Sequence, residues 1–432
     1  MAALRSRGMA VAAAKVGPDF IDPGYHQVAT GRPGRNLDEW ISGRDALVPL
    51  AARAARGADI LIVEGVMGLF DGASPGSGPE SSTASVASAI EAPVVLTVDA
   101  SSIGASVAAL VSGYLSMARD RYGLSVAGVV LNRVGSAHHE ALLRASLAGI
   151  GVPVMGVLRR DERLAWRDRH LGLIPVVEHR DDVARSVRLL AAAVQEGVDL
   201  EGLVRAARDA PRLHASLLPA ATAAPGRATV AVAAGKAFSF AYADNLERLE
   251  ESGAELAFFD PRTDPALPQG CSAIYAGGGF PETFAGDLSD NLPLRESVAS
   301  FWRSGGVVWA ECGGMAWLSE SLDGLPMCGV LPTSVAMTKR LELGYRTARQ
   351  THTSPLGPPG ASFRGHEFHY SRATPPGSAL VVAGARAAKS DGFAEERLMA
   401  SYLHIHLGWD PAPAEAFVRA ACEARQRLLA AS

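Results

Sequence analysis

Cysteine is scarce: four residues in 432, at 271, 312, 328 and 422, with no CxxC spacing and no paired framework. That excludes a disulfide scaffold, fits a reducing cytoplasm, and leaves each thiol needing its own explanation. No apolar run reaches the roughly 18–20 residues of a membrane span. AVAAAKV near the N-terminus is too short and too quickly charged for a signal peptide. No run of five or more basic residues occurs and the formal net charge is −4, so a nucleic-acid surface is unsupported. What remains is an ordinary composition, 48% apolar and 20% charged, in a chain long enough for two or three domains. The expectation is a cytoplasmic enzyme acting on small molecules, with no membrane or nucleic-acid partner.

The pattern along the chain is α/β. MAALRSRGM reads as a helix stopped at Gly8, and VAAAKV follows as a short buried strand. ADILIVEGV (58–66), APVVLTVDA (92–100), VAGVVLNRV (126–134) and VPVMGVL (152–158) are nearly continuous apolar runs, as parallel strands buried on both faces require. Helical stretches at 102–123 and 138–151 separate them, which predicts a doubly wound parallel sheet. Ala, Pro and small polar residues then dominate 213–228, taken as a linker between domains at 1–212 and 229–432. A second α/β series follows, with strands predicted at 229–234, 254–260, 272–279 and 307–312.

In that second series SGGVVWAECGGMAWL (304–318) runs an apolar strand into Cys312, two glycines and a helix-like MAWLSESL. A nucleophile at a strand-to-helix turn sits in a strained conformation and needs small neighbours. The helix N-terminus beyond it is expected to lower the thiol pKa. A lone cysteine is otherwise a small buried hydrophobe. Two further strings favour chemistry. YAGGGFPE (275–282) offers backbone N–H groups at Gly278 and Gly279 which, with Gly313, could form an oxyanion hole. SYLHIH (401–406) supplies His404 and His406, either of which could be the imidazole base a thiol needs.

Together these residues resemble the class I glutamine amidotransferase domain, in the variant found in cobalamin biosynthesis, over most of residues 228–428. The resemblance implies a Cys312 thioester that releases ammonia from glutamine. The acidic third member usually stands two positions after the histidine, and here that position is His406, which implies a Cys–His dyad. The related YLHGLF pattern favours His404 as base, with His406 second. RGHEFHYS (364–371) resembles a signature lining the same site; its His366 and His369 lack HExxH spacing, and a structural or substrate-contacting role is expected of them. His138, His139 and His170 need no catalytic role.

In the first domain, KVGPDFIDPG (15–24) and VEGVMGLFDG (63–72) place Asp19, Asp22, Glu64 and Asp71 at two strand ends. Ligands bind there in open α/β sheets, and Mg²⁺ takes such oxygen ligands. Asp and Gly also simply favour turns. KVGPDFIDPGYH, NLDEW (36–40), EGVMGLFDG, VLNRVGS (131–137), RHLGL (169–173) and MTKRLELGYR (337–346) resemble the cobyrinic acid a,c-diamide synthase family across essentially the whole chain. Its synthetase domain is similar to dethiobiotin synthetase. The resemblance implies Asp19 and Glu64 serving Mg-ATP, Lys15 contacting phosphate, Asp22 and Asp71 at the substrate carboxylate or phosphate transfer, and Asn132 and Arg133 at the nucleotide base.

The implied reaction hydrolyses glutamine, activates a corrinoid carboxylate as an acyl phosphate and amidates it, at the a and c acetates of cobyrinic or hydrogenobyrinic acid. A homodimer is the assembly to test. Cobyric acid synthases and nickel-sirohydrochlorin a,c-diamide synthases are the rival enzymes; a glutaminase or a binding module without ATP chemistry is the rival class. No GxxxxGKT-type loop is found, and GKA at 235–237 lies in the wrong domain. Since such a loop would precede the first helix, Met1 is expected to be an internal methionine with about 20 residues absent before it.

Overall fold

The computed structural model describes residues 1–73, 80–164, 168–169, 172–173, 175–213, 218–384 and 387–431. The chain divides into two compact units, Met1–Leu218 and Pro219–Ser432. The division falls within the stretch read as a linker, and the later part of that stretch packs on the second unit. Thr222 N–H donates to Glu415 Oε1 at 2.7 Å, and Arg248 donates to the Pro219 carbonyl at 2.9 Å. Among the described residues no helix is long and apolar enough to cross a membrane.

In the first unit VAAAKV is strand β1 (Val11–Val16), buried at every position. It pairs in parallel with β2 (Arg35–Leu37) on one side and β3 (Ile60–Glu64) on the other. β4 (Val94–Asp99), β5 (Val126–Val134) and β6 (Val154–Arg159) form a second parallel ladder. β7 (Asp168–Arg169) and β8 (Gly172–Leu173) are a short antiparallel pair. The alternating parallel α/β layout is as expected, but the strands form two three-stranded ladders instead of one. β3 is an edge of its ladder, which is why an apolar ILIVE run leaves Leu61, Ile62 and Val63 only half-buried. The helix expected at 102–123 spans Val107–Tyr122 and stops at Gly123, whose φ of +66° suits glycine. Ser136 caps the helix Ala137–Leu147 by accepting from His139 N–H. His170 and Leu171 of RHLGL lie outside the described residues.

The second unit continues with β9 (Ala228–Ala233), β10 (Ala254–Phe259), β11 (Ala273–Ala276) and β12 (Val307–Glu311). The short β13 (Ser321–Leu322) and β14 (Leu325–Pro326) lead into the long β15 (Ser334–Gln350) and β16 (Ser362–Thr374). β17 (Leu380–Ala383), β18 (Lys389–Asp391), β19 (Phe393–Glu395), β20 (Leu398–Ser401) and β21 (His404–Ile405) complete the series. One six-stranded sheet runs β10-β9-β11-β12-β20-β19, with only the last strand antiparallel. A second sheet runs β14-β13-β15-β16-β21, with β17 and β18 attached.

The first sheet packs around fully buried Trp309, Tyr275 and Phe417, with Tyr275 and Trp309 rings 4.4 Å apart. Each such side chain contributes about 2–3 kcal/mol through burial. MAWLSESL is helical only to Leu318: the Ser319 hydroxyl donates to the Ala316 and Ser321 carbonyls, turning the chain into β13.

Candidate active site

Cys312 follows β12 with φ +47° and ψ −98°, a conformation costing a non-glycine residue on the order of 1–3 kcal/mol. Its neighbours must be small. A Cβ on Gly314 would lie 2.1 Å from the Ala276 carbonyl oxygen, and one on Gly313 3.0 Å from Pro281 Cδ. Cys312 N–H donates to the Ser401 carbonyl at 2.7 Å, tying the elbow to the end of β20. The expected lowering of the thiol pKa is not met. Burial pushes it well up and the Glu282 carboxylate adds to this, outweighing the favourable Gly313 N–H. A thiol so disfavoured as an anion needs an adjacent base to take its proton.

The Cys312 Sγ itself is 3.9 Å from the Phe368 carbonyl, while His404 lies at the turn next to the elbow. Its ring lies against the glycine turn after β11: a Cβ on Gly278 would be 2.4 Å from His404 Cε1 and 3.3 Å from Nε2. The same turn abuts the elbow, since a Cβ on Gly313 would be 3.1 Å from Gly279 N. His406 faces another way. Its ring meets Tyr242 edge-on at 4.7 Å, and its Nε2 is 3.6 Å from Asp244 Oδ2.

The glycine turn corrects one expectation. Gly278 N–H donates to the Phe240 carbonyl at 2.9 Å, so it is not available to an oxyanion. The role the geometry gives Gly278 is space for the imidazole. Gly279 and Gly313 remain the neighbouring pair at the nucleophile. Around them, His366 stacks on His404 at 5.0 Å, and burial holds His366 well below the usual histidine range. His369 stacks on Tyr402 at 3.8 Å, and burial pushes it down to about 4. Between them on β16, buried Glu367 pairs with Arg346 at 2.7 Å and Lys389 at 2.9 Å. Burial would raise this carboxyl, but Lys389 and then Arg346 hold it below its ordinary value.

In the first unit, the parallel register sets Lys15 beside Glu64. Lys15 is buried, with Nζ 2.5 Å from Asp22, 3.2 Å from Glu64 and donating to the Gly65 carbonyl at 3.0 Å. It was expected to meet phosphate; here it neutralises two carboxylates and must exchange one to do so. Asp19 accepts from Ile21 N–H at 2.6 Å, and burial, then the Asp22 charge, raises its pKa. Sequence reasoning missed His26, whose Nε2 is 2.6 Å from Glu64 Oε2. Its position four residues after Asp22 on the helix Ile21–Thr30 was the available signal. Asp71 turns back on its own loop, accepting from Gly68 N–H at 2.8 Å.

Asn132 and Arg133 lie near the end of β5 in the other ladder. Arg133 has φ +61° and reaches Asp99 at 3.0 Å, a partner that was also missed. Among the described residues no cluster of three or more His, Cys, Asp or Glu side chains is set to hold a metal. Mg²⁺ beside a nucleotide needs only one or two carboxylates, and hard oxygens at adjacent strand ends fit that demand.

Comparison with known proteins agrees with this division of labour. Residues 1–173 match the CobQ/CobB/MinD/ParA nucleotide binding domain, and residues 229–412 match the CobB/CobQ-like glutamine amidotransferase domain. A nucleotide-binding domain followed by an amidotransferase domain defines a glutamine-dependent ligase. Hydrogenobyrinate a,c-diamide synthase of Streptomyces coelicolor is 46% identical, over 97% of this chain and 92% of that protein. The enzyme of the same name from Thermobifida fusca is 43% identical over the same shares. Cobyrinate a,c-diamide synthase of Dehalococcoides mccartyi is 38% identical over 97% of this chain and 93% of that protein. The chain belongs to the hydrogenobyrinate and cobyrinate a,c-diamide synthase family.

Proposed function

We infer that this chain is an ATP- and glutamine-dependent ligase that converts the a and c acetate carboxylates of hydrogenobyrinic acid to amides. The observation carrying the glutamine half is the strained Cys312 elbow, with His404 and the Gly279–Gly313 pair gathered at one strand-end turn. His404 Nε2 takes the Cys312 proton, and the thiolate adds to the glutamine amide carbon. The N–H groups of Gly279 and Gly313 receive the oxyanion. His404 returns the proton to the departing nitrogen, and water then hydrolyses the glutamyl thioester.

In the first unit the carboxylate of the macrocycle attacks the γ-phosphorus of ATP and displaces ADP. Ammonia adds to the acyl phosphate and inorganic phosphate leaves. Activation is required because a carboxylate is a poor electrophile. Asp19 and Glu64 are the residues to hold Mg²⁺, which would neutralise phosphate charge when bound. Lys15 and His26 occupy both Glu64 oxygens and would yield one. Asn132 and Arg133 are assigned to the base, Asp22 and Asp71 to the carboxylate substrate. Four unpaired thiols support a cytoplasmic setting.

Both hydrogenobyrinate-named relatives are more similar than the cobyrinate-named one, which supports the cobalt-free substrate. The test is mass spectrometry of products with hydrogenobyrinic acid, cobyrinic acid and nickel-sirohydrochlorin, each supplied with ATP and glutamine. A gain of two amides on the first alone is expected; turnover only of another macrocycle would reassign the substrate.

A further inference from the structure

The amidotransferase site holds a buried carboxylate that the dyad mechanism does not use. Glu311 is the last residue of β12, immediately before the nucleophile, and is 1% exposed. Its Oε2 lies 3.6 Å from His404 Nδ1 and accepts from the Tyr275 hydroxyl at 3.3 Å. Its Oε1 accepts from Ile405 N–H at 3.1 Å, the residue next to His404. A charge this deep must be compensated, and the carboxylate faces one ring nitrogen while the other lies at the glycine turn beside the elbow. The position two after the histidine, where an acidic residue would otherwise be sought, is His406, which is directed at Asp244.

We propose that Glu311 is the positioning residue of the glutaminase site, completing a Cys312–His404–Glu311 triad whose acidic member precedes the nucleophile in the chain. The inference rests on the glutamine-hydrolysing role given above. Glu311 holds the neutral imidazole as the Nδ1–H tautomer, leaving Nε2 as the base. It then faces the positive charge that forms when Cys312 transfers its proton. At 3.6 Å the pair is within ion-pair reach of an imidazolium and just beyond a hydrogen bond. Around this ring His366, stacked on it, and His369, further along β16, are lowered by burial; the Glu367 carboxylate between them is paired with Arg346 and Lys389, and the Glu282 charge bears on Cys312.

The test compares Glu311→Gln and Glu311→Asp with the unaltered chain. Glutaminase kcat of Glu311→Gln should fall about 100-fold or more through loss of the imidazolium's counter-charge. Its KM for glutamine should stay within about threefold, because the residue does not touch substrate. The acid limb of its kcat–pH profile should move to lower pH, and Glu311→Asp should recover part of the rate. A merely structural role would leave the limb in place, and a Glu311→Gln kcat within about twofold of the unaltered chain would overturn the triad.

¹⁵N-histidine NMR of the unaltered chain and Glu311→Gln decides independently of turnover. His404 should be Nδ1-protonated in the first and lose that preference in the second; the same tautomer in both refutes the assignment. If the unaltered chain releases no glutamate, the functional reading falls, and the NMR comparison still rules on Glu311.

Discussion

At the scale of single residues, the site depends on what is missing from a side chain as much as on what is present. Gly278 leaves room for the His404 ring, so Gly278→Ala, placing a methyl 2.4 Å from Cε1, must displace the base. Glutaminase kcat should drop at least about tenfold, as expected when a catalytic group is moved by a fraction of an ångström. Ammonia-dependent amidation should persist, so coupled assays with either nitrogen source separate the two effects. Cys312→Ala should abolish glutamate release outright, with ammonia again able to replace glutamine. The strand-to-helix elbow was legible because an apolar run ends at Cys312 and two glycines follow it, although the string alone does not separate a nucleophile from a small buried hydrophobe. Glu311 was not, because only the fold reveals that the residue beside Cys312 in sequence lies beside His404 in space. Nor could a string of glycines say whose N–H is already taken, as Gly278's is by Phe240.

At the scale of elements, the buried parallel strands announced themselves as unbroken apolar runs, and β1, β4, β5, β9 and β12 lie where those runs predicted. The β15–β16 hairpin did not. Its register shifts between Met337 and Glu342, where Lys339 and Arg340 are exposed, so neither clean alternation nor an apolar run marks it. This hairpin holds one buried carboxylate of the second unit, Glu367, and β18 another, Asp391. Glu367→Ala would strip two cations of their carboxylate and leave Arg346, 12% exposed, without it. The loss should be about 3 kcal/mol for a broken buried pair, discounted for the more exposed Lys389, and read from urea denaturation.

Asp391 on β18 gives a pH signature. Burial, then the Glu367 charge, pushes its carboxyl up to about 7. A folded-state pKa above the unfolded value means stability present in acid and lost as pH rises from about 4 through 7. His369, lowered to about 4, acts oppositely and weakens the fold as pH falls below about 6.5. Asp391→Asn removes only the first effect, so its stability relative to the unaltered chain should improve steadily from pH 4 to 7. A difference independent of pH would contradict a protonated Asp391.

At the scale of the whole molecule, two chemistries occupy two units that each fold around their own core. Glu64→Gln should therefore abolish amidation with either nitrogen source while leaving glutamate release intact, the converse of Cys312→Ala; loss of both activities would contradict that separation. Within the second unit the sulfur and the imidazole belong to different sheets. Cys312 directly follows β12 of the six-stranded sheet, whereas His404 opens β21 of the other, with two residues between it and β20. The hydrogen bond from Ile405 N–H to Glu311 is one strut between them. Such a site is a vernier: sliding one sheet an ångström along the other is enough to silence hydrolysis roughly 100-fold while every residue stays in its rotamer. The hydrogen bonds from Cys312 N–H to Ser401 and from Ile405 N–H to Glu311 are what hold that register, though neither touches the substrate.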